Sequence, residues 1–352
     1  MAFTRISRKV KIWIIGLAVA TGSFISFSYT DDLFEISRNI DIFVSLFREL
    51  DIYYVDPIKH GELMKDGIDA MLESLDPYTN YIPESEIEDY RFMTTGQYGG
   101  IGALIGQKGD FVVITDPYEG FPAQKADLRA GDVIKEIDGK TVKGKKTDDI
   151  SKILKGQPQT QVKLLIERPG EKAPIEKVVT RSEIKINSVP YYGMLDSEIG
   201  YIKLTGFTEN AGQEVKDALL DLKNKNNAKA VVLDLRGNPG GLLNEAVNIT
   251  NLFVDRGTEV VTTKGKVKEW EKSYKAMNAP VDTQIPLVLL VNSGSASASE
   301  IVSGSIQDLD RGIIIGQRTF GKGLVQTTRP LSYNAQLKVT TAKYYVLSGR
   351  CI

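Results

Sequence analysis

Near the start of the chain, apolar side chains recur at spacings of three and four residues, the pattern of an amphipathic helix. One such run covers residues 33–50, and a second helix is predicted from about Gly61 to Leu75. The apolar positions are Leu33, Ile36, Ile40, Phe43, Val44, Phe47 and Leu50 in the first run, and Leu63, Ile68, Met71, Leu72 and Leu75 in the second. The segment LDPYTNYIP (75–83) then ends the helical region, because it contains two prolines.

Between residues 93 and 182, apolar and polar residues alternate over short stretches, as they do in half-buried strands. A glycine-rich segment, YGGIGALIG (98–106), opens this region, and a helix with one polar face fits residues 147–156. The predicted strands are 111–117, 131–142 and 161–170. The pattern therefore predicts a separate small module.

From about residue 183 onwards, buried strands alternate with amphipathic helices, which is typical of an α/β domain. Helices are predicted at 209–225, 242–254 and 297–309. The predicted strands are 200–207, 229–237, 285–292, 311–316, 324–331 and 335–346.

The first 30 residues have the charge pattern of an export segment. Arg5, Arg8, Lys9 and Lys11 precede a charge-free apolar run over residues 12–29. A signal peptide cut after Ala18-Val19-Ala20 would leave an unusually short apolar region, whereas the run of 18 residues just reaches spanning length. An uncleaved anchor is favoured over a cleaved signal peptide, and in either case the rest of the chain is expected to be exported.

Composition excludes several classes of site. The net charge of −1 provides no basic surface for nucleic acid. A single cysteine, Cys351, excludes an internal disulfide and a thiolate-rich metal site, and a single histidine, His60, argues against catalytic zinc. No metal and no cofactor are expected.

Two segments rich in small residues contain a serine and a lysine that suit hydrolytic chemistry. Ser297 and Lys322 lie 25 positions apart, while His60 lies more than 200 residues upstream. If Ser297 is a nucleophile, its general base is therefore a lysine and not an imidazole. The residues alone leave alternatives open, because serine is also an ordinary helix N-cap, Ser295 and Ser299 are close by, and most lysines are solvated at the surface.

These segments, NSGSASASEIVSGSIQD (292–308) and GQRTFGKGLVQ (316–326), resemble those of the carboxyl-terminal processing (tail-specific) peptidases, as does RGNPGG (236–241). The resemblance implies a Ser-Lys dyad of Ser297 and Lys322, with Gln326 as a third residue that orients it. It also implies an oxyanion hole made from a backbone N–H of Gly240 or Gly241 together with that of Ala298. Because RGNPGG lacks the spacing of the dinucleotide fingerprint, nucleotide binding is rejected there.

The segment GDVIKEIDGKTV (131–142) and the order of elements around it resemble a PDZ domain of the bacterial, circularly permuted type. The stretch Gly100, Ile101, Gly102 and Ala103 would then bind the substrate's C-terminal carboxylate, and Ile101 with the 147–154 helix would line the side-chain pocket. Glycines suit this role because they let backbone N–H groups approach a carboxylate closely. Lys155-Gly156 stands where relatives often carry an arginine–glycine pair.

The predicted fold is a multidomain α+β protein with N-terminal helices, a circularly permuted PDZ domain and a crotonase/ClpP-like α/β peptidase core. The predicted domains are 1–30 (signal peptide or membrane anchor), 31–92 (helical region), 93–182 (PDZ domain) and 183–352 (peptidase core). Relatives continue beyond a YYxxSGR segment like that at residues 344–350, so the C-terminus is expected to be truncated.

The predicted function is that of a serine endopeptidase that recognises free, unstructured protein C-termini through its PDZ domain. The alternative is a catalytically inactive PDZ scaffold, while a cytoplasmic acyl-CoA enzyme of the crotonase type does not fit the export segment. The expected location is the periplasm or the extracytoplasmic face of a membrane, with residues 12–29 as the anchor if uncleaved. The N-terminal helices are where a homo-oligomer would form.

Overall fold

The structure is a computed structural model that describes residues 33–352. The predicted signal peptide or anchor therefore lies outside the described residues. Within residues 33–352, no helix has both the length and the apolar character needed to cross a membrane. The chain divides into two compact units, Met1–Ala70 and Met71–Ile352.

The described part of the first unit is helical, as the spacing of its apolar residues predicts. Helix α1 covers residues 33–53, and helix α2 covers His60–Glu73 and continues into the second unit. Many apolar side chains of α1 are exposed, among them Phe34 at 69% and Ile40 at 57%. His60 lies at the first position of α2, where its Nε2 is 2.6 Å from Oδ1 of Asp51 and both side chains are more than half exposed.

A six-stranded antiparallel sheet forms the PDZ module in the second unit, in the order β3-β4-β5-β7-β8 with β6 paired to β5. Its strands are β3 (Ala103–Lys108), β4 (Phe111–Pro117), β5 (Val133–Ile137), β6 (Lys140–Thr141), β7 (Gln161–Glu167) and β8 (Ile175–Thr180), and its helices are α4 (Pro122–Lys125) and α5 (Thr147–Leu154). Ile150 and Leu154 of α5 pack against Ile114 and Leu164 of the sheet, in a core separate from that of the rest of the unit. The predicted strand 111–117 matches β4, the predicted strand 161–170 covers β7, and the predicted helix 147–156 covers α5. The predicted strand 131–142 forms two strands, β5 and β6, and β3, β8 and α4 were not predicted.

A two-stranded ribbon connects the PDZ module to the rest of the unit. Strand β2 (Gln97–Gly100) pairs antiparallel with β9 (Ser182–Lys185), so that Gly100 lies opposite Ser182. The chain therefore enters and leaves the module at neighbouring positions.

A five-stranded sheet, mostly parallel, carries the segments of the predicted site. Its order is β10-β11-β12-β15-β16, in which only β10 is antiparallel to its neighbour. The strands are β10 (Tyr191–Met194), β11 (Ile199–Lys203), β12 (Ala230–Asp234), β15 (Leu287–Val291) and β16 (Ile313–Gly316), and the helices are α6 (Ala211–Asn224), α7 (Leu243–Asn251) and α8 (Ala298–Asp308). The carboxyl ends of the parallel strands β12 and β15 meet at one edge, where ligands usually bind in such sheets. RGNPGG follows β12 there, and the Ser297 segment follows β15.

A second five-stranded sheet carries the lysine segment. The ten-residue strand β18 (Gln336–Tyr345) pairs with β17 (Leu324–Pro330), β13 (Glu259–Gly265) and β1 (Asn80–Ile82), while β14 (Lys272–Lys275) pairs with β13. The sequence pattern does not predict strands β1, β13 and β14, and it does not predict helix α3 (Ile87–Thr95). β1 has three residues and β14 has the polar sequence KSYK, so tertiary pairing and not local pattern makes them strands. The predicted α/β core is therefore corrected: the residues after 183 form two sheets, and β1, from before the PDZ module, joins the second of them.

Candidate active site

Ser297 lies immediately before α8 in an unusual backbone conformation. Its φ is +54° and its ψ −110°, which are rare for a residue with a Cβ, and the residue is 7% exposed. The position puts the hydroxyl at the N-terminus of a helix, where free N–H groups and the helix dipole favour negative charge. Such strained positions are common at functional sites, where the surrounding structure maintains them.

The two neighbouring serines are committed to structural hydrogen bonds. The fully buried Ser295 hydroxyl donates to the carbonyl of Leu235 (2.8 Å) and accepts from the N–H of Asn292 (3.0 Å). The equally buried Ser299 hydroxyl donates to the carbonyl of Asn238 (3.0 Å). Ser297 is instead the N-cap of α8 and forms a capping box with Glu300, so its side chain faces the backbone N–H groups at the start of the helix.

The Ser297 side chain lies beside a buried phenol, that of Tyr344 in β18, which is 5% exposed. Burial raises the pKa of Tyr344 to about 12, with the phenol of Tyr274 adding to the effect and Ser297 opposing it, so the phenol is neutral at ordinary pH. Within residues 33–352, no hydrogen bond joins the Ser297 hydroxyl to Lys322.

Lys322 lies in the loop before β17, in surroundings that disfavour its charged form. Burial lowers the pKa of its ammonium, the like charge of Lys338 on β18 lowers it further, and the carboxylate of Glu300 raises it in part. The Nζ lies 4.5 Å from the centre of the Tyr78 ring. Phe320, two positions before Lys322 in the sequence, is 58% exposed, and the ring over the amine comes instead from the distant segment 75–83.

The Ser297 and Lys322 segments meet on a single side chain. Oε2 of Glu300 accepts the backbone N–H of Ser297 (2.7 Å) and that of Lys322 (2.8 Å), while Oε1 accepts the N–H of Gly321 (2.6 Å). The backbone N–H groups of the two predicted catalytic residues therefore donate to one oxygen atom, although the residues are 25 positions apart in sequence.

Gln326 lies at a β-bulge of β17, where the register shifts after Val325. Its half-buried amide donates a long hydrogen bond (3.4 Å) to the hydroxyl of Thr340. The N–H of Thr340 in turn donates to the hydroxyl of Thr79 (3.2 Å), next to Tyr78. Gln326 is thus connected to the segment that covers Lys322, and among the described residues no hydrogen bond joins its side chain to Ser297 or Lys322.

The RGNPGG loop packs directly against the serine. A Cβ added to Gly240, whose φ is +101°, would lie 2.7 Å from the carbonyl oxygen of Ala296 and 3.0 Å from Cβ of Ser297. The Gly240 N–H already donates to the side-chain oxygen of Asn238 (2.9 Å). The N–H groups of Gly241 and Ala298, by contrast, have no acceptor in the described part of the chain.

A narrow groove in the PDZ module lies between β3 and α5. Tyr98, Ile101, Ala103, Ile105, Ser151, Leu154 and Lys155 line a cavity of about 30 Å³ there. The carbonyls of Ile101 and Gly102 accept hydrogen bonds from Ala123 and Tyr118, whereas the N–H groups of Ile101 and Gly102 have no backbone acceptor within residues 33–352. Lys155 places its Nζ 5.6 Å from the Tyr98 ring centre and 5.9 Å from that of Phe92, which belongs to α3 outside the module.

A larger cavity of about 460 Å³ lies beside this groove and shares Ser151 and Lys155 with it. Asp148 and Lys152 of α5 form one side, and residues of β1, α3 and β18 form the other. Lys338, which lowers the pKa of Lys322, is one of the lining residues. The cavity therefore extends from the PDZ groove towards the lysine of the predicted dyad.

The sequence did not identify Glu300, Tyr78, Lys338 or Tyr344. For Glu300 a signal existed, because serine followed three residues later by glutamate is the capping-box pattern. The other three reach the site through strand pairing or packing between distant segments, and a single sequence carries no signal for such contacts.

Comparison with known proteins shows which families the chain matches. The model of peptidase family S41 matches residues 198–352, and a PDZ domain model matches residues 113–168. The carboxy-terminal-processing protease of Bartonella bacilliformis is 37% identical over 313 residues, which cover 88% of the chain and 71% of that protein. A probable CtpA-like serine protease of Staphylococcus aureus is 36% identical over 317 residues, which cover 89% of the chain but only 62% of that protein. Among solved structures, the photosystem II D1 C-terminal processing protease is 33% identical and has a TM-score of 0.50, with coverage of 88% of the chain and 89% of that structure.

Proposed function

The chain belongs to the serine-type carboxy-terminal-processing proteases of peptidase family S41, and we propose that it is an endopeptidase that binds unstructured C-terminal tails and cleaves them through a Ser297–Lys322 dyad. The observation that carries the proposal is that the Ser297 and Lys322 segments both bind Glu300. They do so at the N-terminus of α8, next to the RGNPGG loop, in which the N–H of Gly241 has no acceptor among the described residues.

The first step needs a neutral lysine. Burial and Lys338 both lower the pKa of Lys322, which increases the fraction of amine able to take the Ser297 proton. The Ser297 hydroxyl must first turn towards Lys322, because no hydrogen bond joins these two side chains among the described residues. The Oγ then attacks the scissile carbonyl, and the proton passes to the Lys322 Nζ.

The tetrahedral intermediate carries an oxyanion that needs N–H donors. Ala298 and Gly241 suit this role better than Gly240, because the Gly240 N–H already donates to Asn238. When the intermediate collapses, Lys322 returns the proton to the leaving amine and an acyl-enzyme remains on Ser297. Water, deprotonated by the same lysine, hydrolyses the ester and restores both residues.

Tail recognition is proposed to occur in the PDZ groove. The unoccupied N–H groups of Ile101 and Gly102 can donate to a terminal carboxylate, while the tail adds as a strand beside β3. The chain upstream of the tail would then pass through the 460 Å³ cavity towards Lys338 and the dyad. In this proposal, Gly100 and Ala103 form the ends of the carboxylate-binding stretch.

The finer assignments of fold and location belong to the same proposal. We infer a circularly permuted PDZ domain over residues 93–182 and a crotonase/ClpP-like core over residues 183–352, supported by the β2–β9 ribbon and by the parallel sheet with its helical crossovers. Export and membrane anchoring rest on the basic and apolar pattern of residues 1–30. A homo-oligomer through the N-terminal helices is supported by the exposed apolar side chains of α1.

A disordered test protein with a free C-terminus provides the direct assay. Wild-type protein is expected to release internal fragments detectable by mass spectrometry and to be labelled on Ser297 by a fluorophosphonate, whereas Ser297→Ala should do neither. Tail binding by the wild type without cleavage or labelling would instead support the inactive PDZ scaffold.

A further inference from the structure

Glu300 makes more hydrogen bonds than a helix cap requires. It lies in the first turn of α8, is 4% exposed, and accepts three backbone N–H groups. Only the bond from Ser297, its partner in the capping box, belongs to the end of the helix. The bonds from Gly321 and Lys322 come from a loop more than 20 residues further along the chain.

The shared oxygen makes the geometry specific. Oε2 accepts the backbone N–H of both Ser297 (2.7 Å) and Lys322 (2.8 Å). Because the acceptor is shared, a shift of either backbone away from Oε2 changes its position relative to the other. Hydrogen bonds to a carboxylate are short and strong, and in a buried site they are costly to leave unmade. Glu300 therefore holds the two segments at a set separation.

The arrangement also accounts for the strained backbone of Ser297. A φ of +54° persists only where neighbours fix it, and the N–H of that same residue is bound by Glu300. Gly240 also packs close to Ser297, since a Cβ added to that glycine would lie 3.0 Å from Cβ of Ser297.

We propose that Glu300 is a positioning residue of the peptidase reaction, and that its carboxylate sets the relative placement of Ser297 and Lys322 by binding the backbone of both. This inference rests on the proposed dyad. Glu300 is not a proton carrier here, because all three of its hydrogen bonds are to backbone N–H groups. Its role is to fix where the nucleophile and base stand.

The charge of Glu300 provides a readout that a purely structural role would not change. The groups that act on Lys322 are Lys338 from β18, the Tyr78 ring from the 75–83 segment and Glu300 from α8. Glu300 is the one among them that raises the pKa of Lys322 by its charge. Removing that charge should move the acid limb of kcat/KM to lower pH, because the neutral lysine then persists at lower pH.

Two variants separate position from charge. Glu300→Gln removes the charge and replaces one acceptor with a donor, whereas Glu300→Asp keeps the charge but is one methylene too short to reach both segments. Each should lower kcat by on the order of 100-fold, as expected for a misplaced base, and leave KM within about twofold. The acid limb should shift to lower pH in Glu300→Gln alone.

Glu245→Gln is the matched control. Glu245 also lies in the first turn of a helix and accepts a backbone N–H, that of Gly212 at 2.6 Å, but it contacts neither member of the dyad. This variant should keep wild-type kcat and pH profile. Glu300 variants with wild-type kcat, or a Glu300→Gln variant with low kcat and an unmoved acid limb, would overturn the proposal.

A measurement on the wild-type protein covers the case in which a Glu300 variant does not fold. The backbone amides of Ser297, Gly321 and Lys322 should exchange with solvent on the order of 100-fold more slowly than unprotected amides. Free exchange of the Gly321 and Lys322 amides would contradict the contact itself. Failure of the wild type to cleave any tail would instead count against the proposed dyad, so the two failures are distinguishable.

Discussion

At the scale of single residues, the lysine environment leads to a pH prediction. The active form of Lys322 is neutral, so kcat/KM should rise with pH through its pKa, at a midpoint below the ordinary lysine value of 10.5. Lys338→Met removes the like charge that lowers this pKa, so the midpoint should move to higher pH, opposite to the effect of Glu300→Gln. The measurement is kcat/KM from pH 5 to 10 with a tail peptide.

Lys343→Met is a suitable control for that prediction, because Lys343 is exposed on the same strand as Lys338. It should leave the midpoint in place. An active Lys322→Arg variant would exclude the lysine as base, since an arginine stays protonated.

The backbone of Ser297 leads to a stability prediction. Its φ of +54° with a ψ of −110° suits glycine, while a residue with a Cβ costs about 1–3 kcal/mol in such a sparsely populated conformation. Both Ser297→Gly and Ser297→Ala should lose all cleavage, but Ser297→Gly should be more stable by about 1 kcal/mol. Denaturant unfolding measures the difference, and equal stabilities would show that the local structure relaxes around alanine.

Sequence motifs predicted Ser297 and Lys322 but not what surrounds them. The two segments are recognisable because each is a continuous local pattern. Their orientation depends on Glu300, Tyr78 and Tyr344, which reach the site through the fold. The choice between Gly240 and Gly241 also needed the structure, because it depends on the amide of Asn238.

At the scale of elements, the groove between β3 and α5 predicts dependence on a free C-terminus. Amidation removes the carboxylate charge that the N–H groups of Ile101 and Gly102 would bind. The free energy of tail binding should therefore become less favourable by about 1.5–3 kcal/mol. A KM for amidated tails at least tenfold above that for acid tails is the expected result. Equal cleavage of the two would mean that this loop is only a structural turn.

A pair of glycine variants tests the same loop. Gly102 has a φ of +73°, and a Cβ added to it would lie 2.6 Å from Cβ of Phe121. Gly102→Ala should therefore displace the loop and raise KM for acid tails at least tenfold. Gly109 has a similar φ of +59° but open space around it, so Gly109→Ala carries the same backbone cost without displacing the groove. Tail affinity should therefore fall in the first variant and not in the second.

The elements were predictable where the local pattern was strong. The alternating strands of the PDZ module carry their own turn signals, and β4 matches its predicted bounds. Strands β1, β13 and β14 were missed because they form by pairing in the sheet built on β18, and two of them are short and polar.

At the scale of the whole molecule, the separate cores lead to a prediction about deletion. The buried residues of the PDZ module and those around α8 form two distinct clusters, and the ribbon β2–β9 brings the ends of the module together. Replacing residues 101–181 by a short glycine–serine turn should leave a folded core that a fluorophosphonate still labels on Ser297. Cleavage should then no longer distinguish acid from amidated tails.

Kinetics of the same deletion distinguish two roles of the module. If it only tethers substrate, KM rises and kcat is unchanged; if it also helps the Ser297 hydroxyl turn to Lys322, kcat falls as well. We expect a lower kcat, because among the described residues no hydrogen bond joins the Ser297 hydroxyl to Lys322. An unfolded product would contradict the separation of the two cores.

The pairing of β2 with β9 also has an evolutionary consequence. Neighbouring strands lie about 4.8 Å apart. The two ends of the insertion point in the peptidase chain are therefore close together, and any domain whose own ends are adjacent can be inserted there. Recombination at this point can exchange one recognition domain for another without disturbing the nucleophile or its base. Lineages can therefore change which proteins they degrade while inheriting the same hydrolytic machinery.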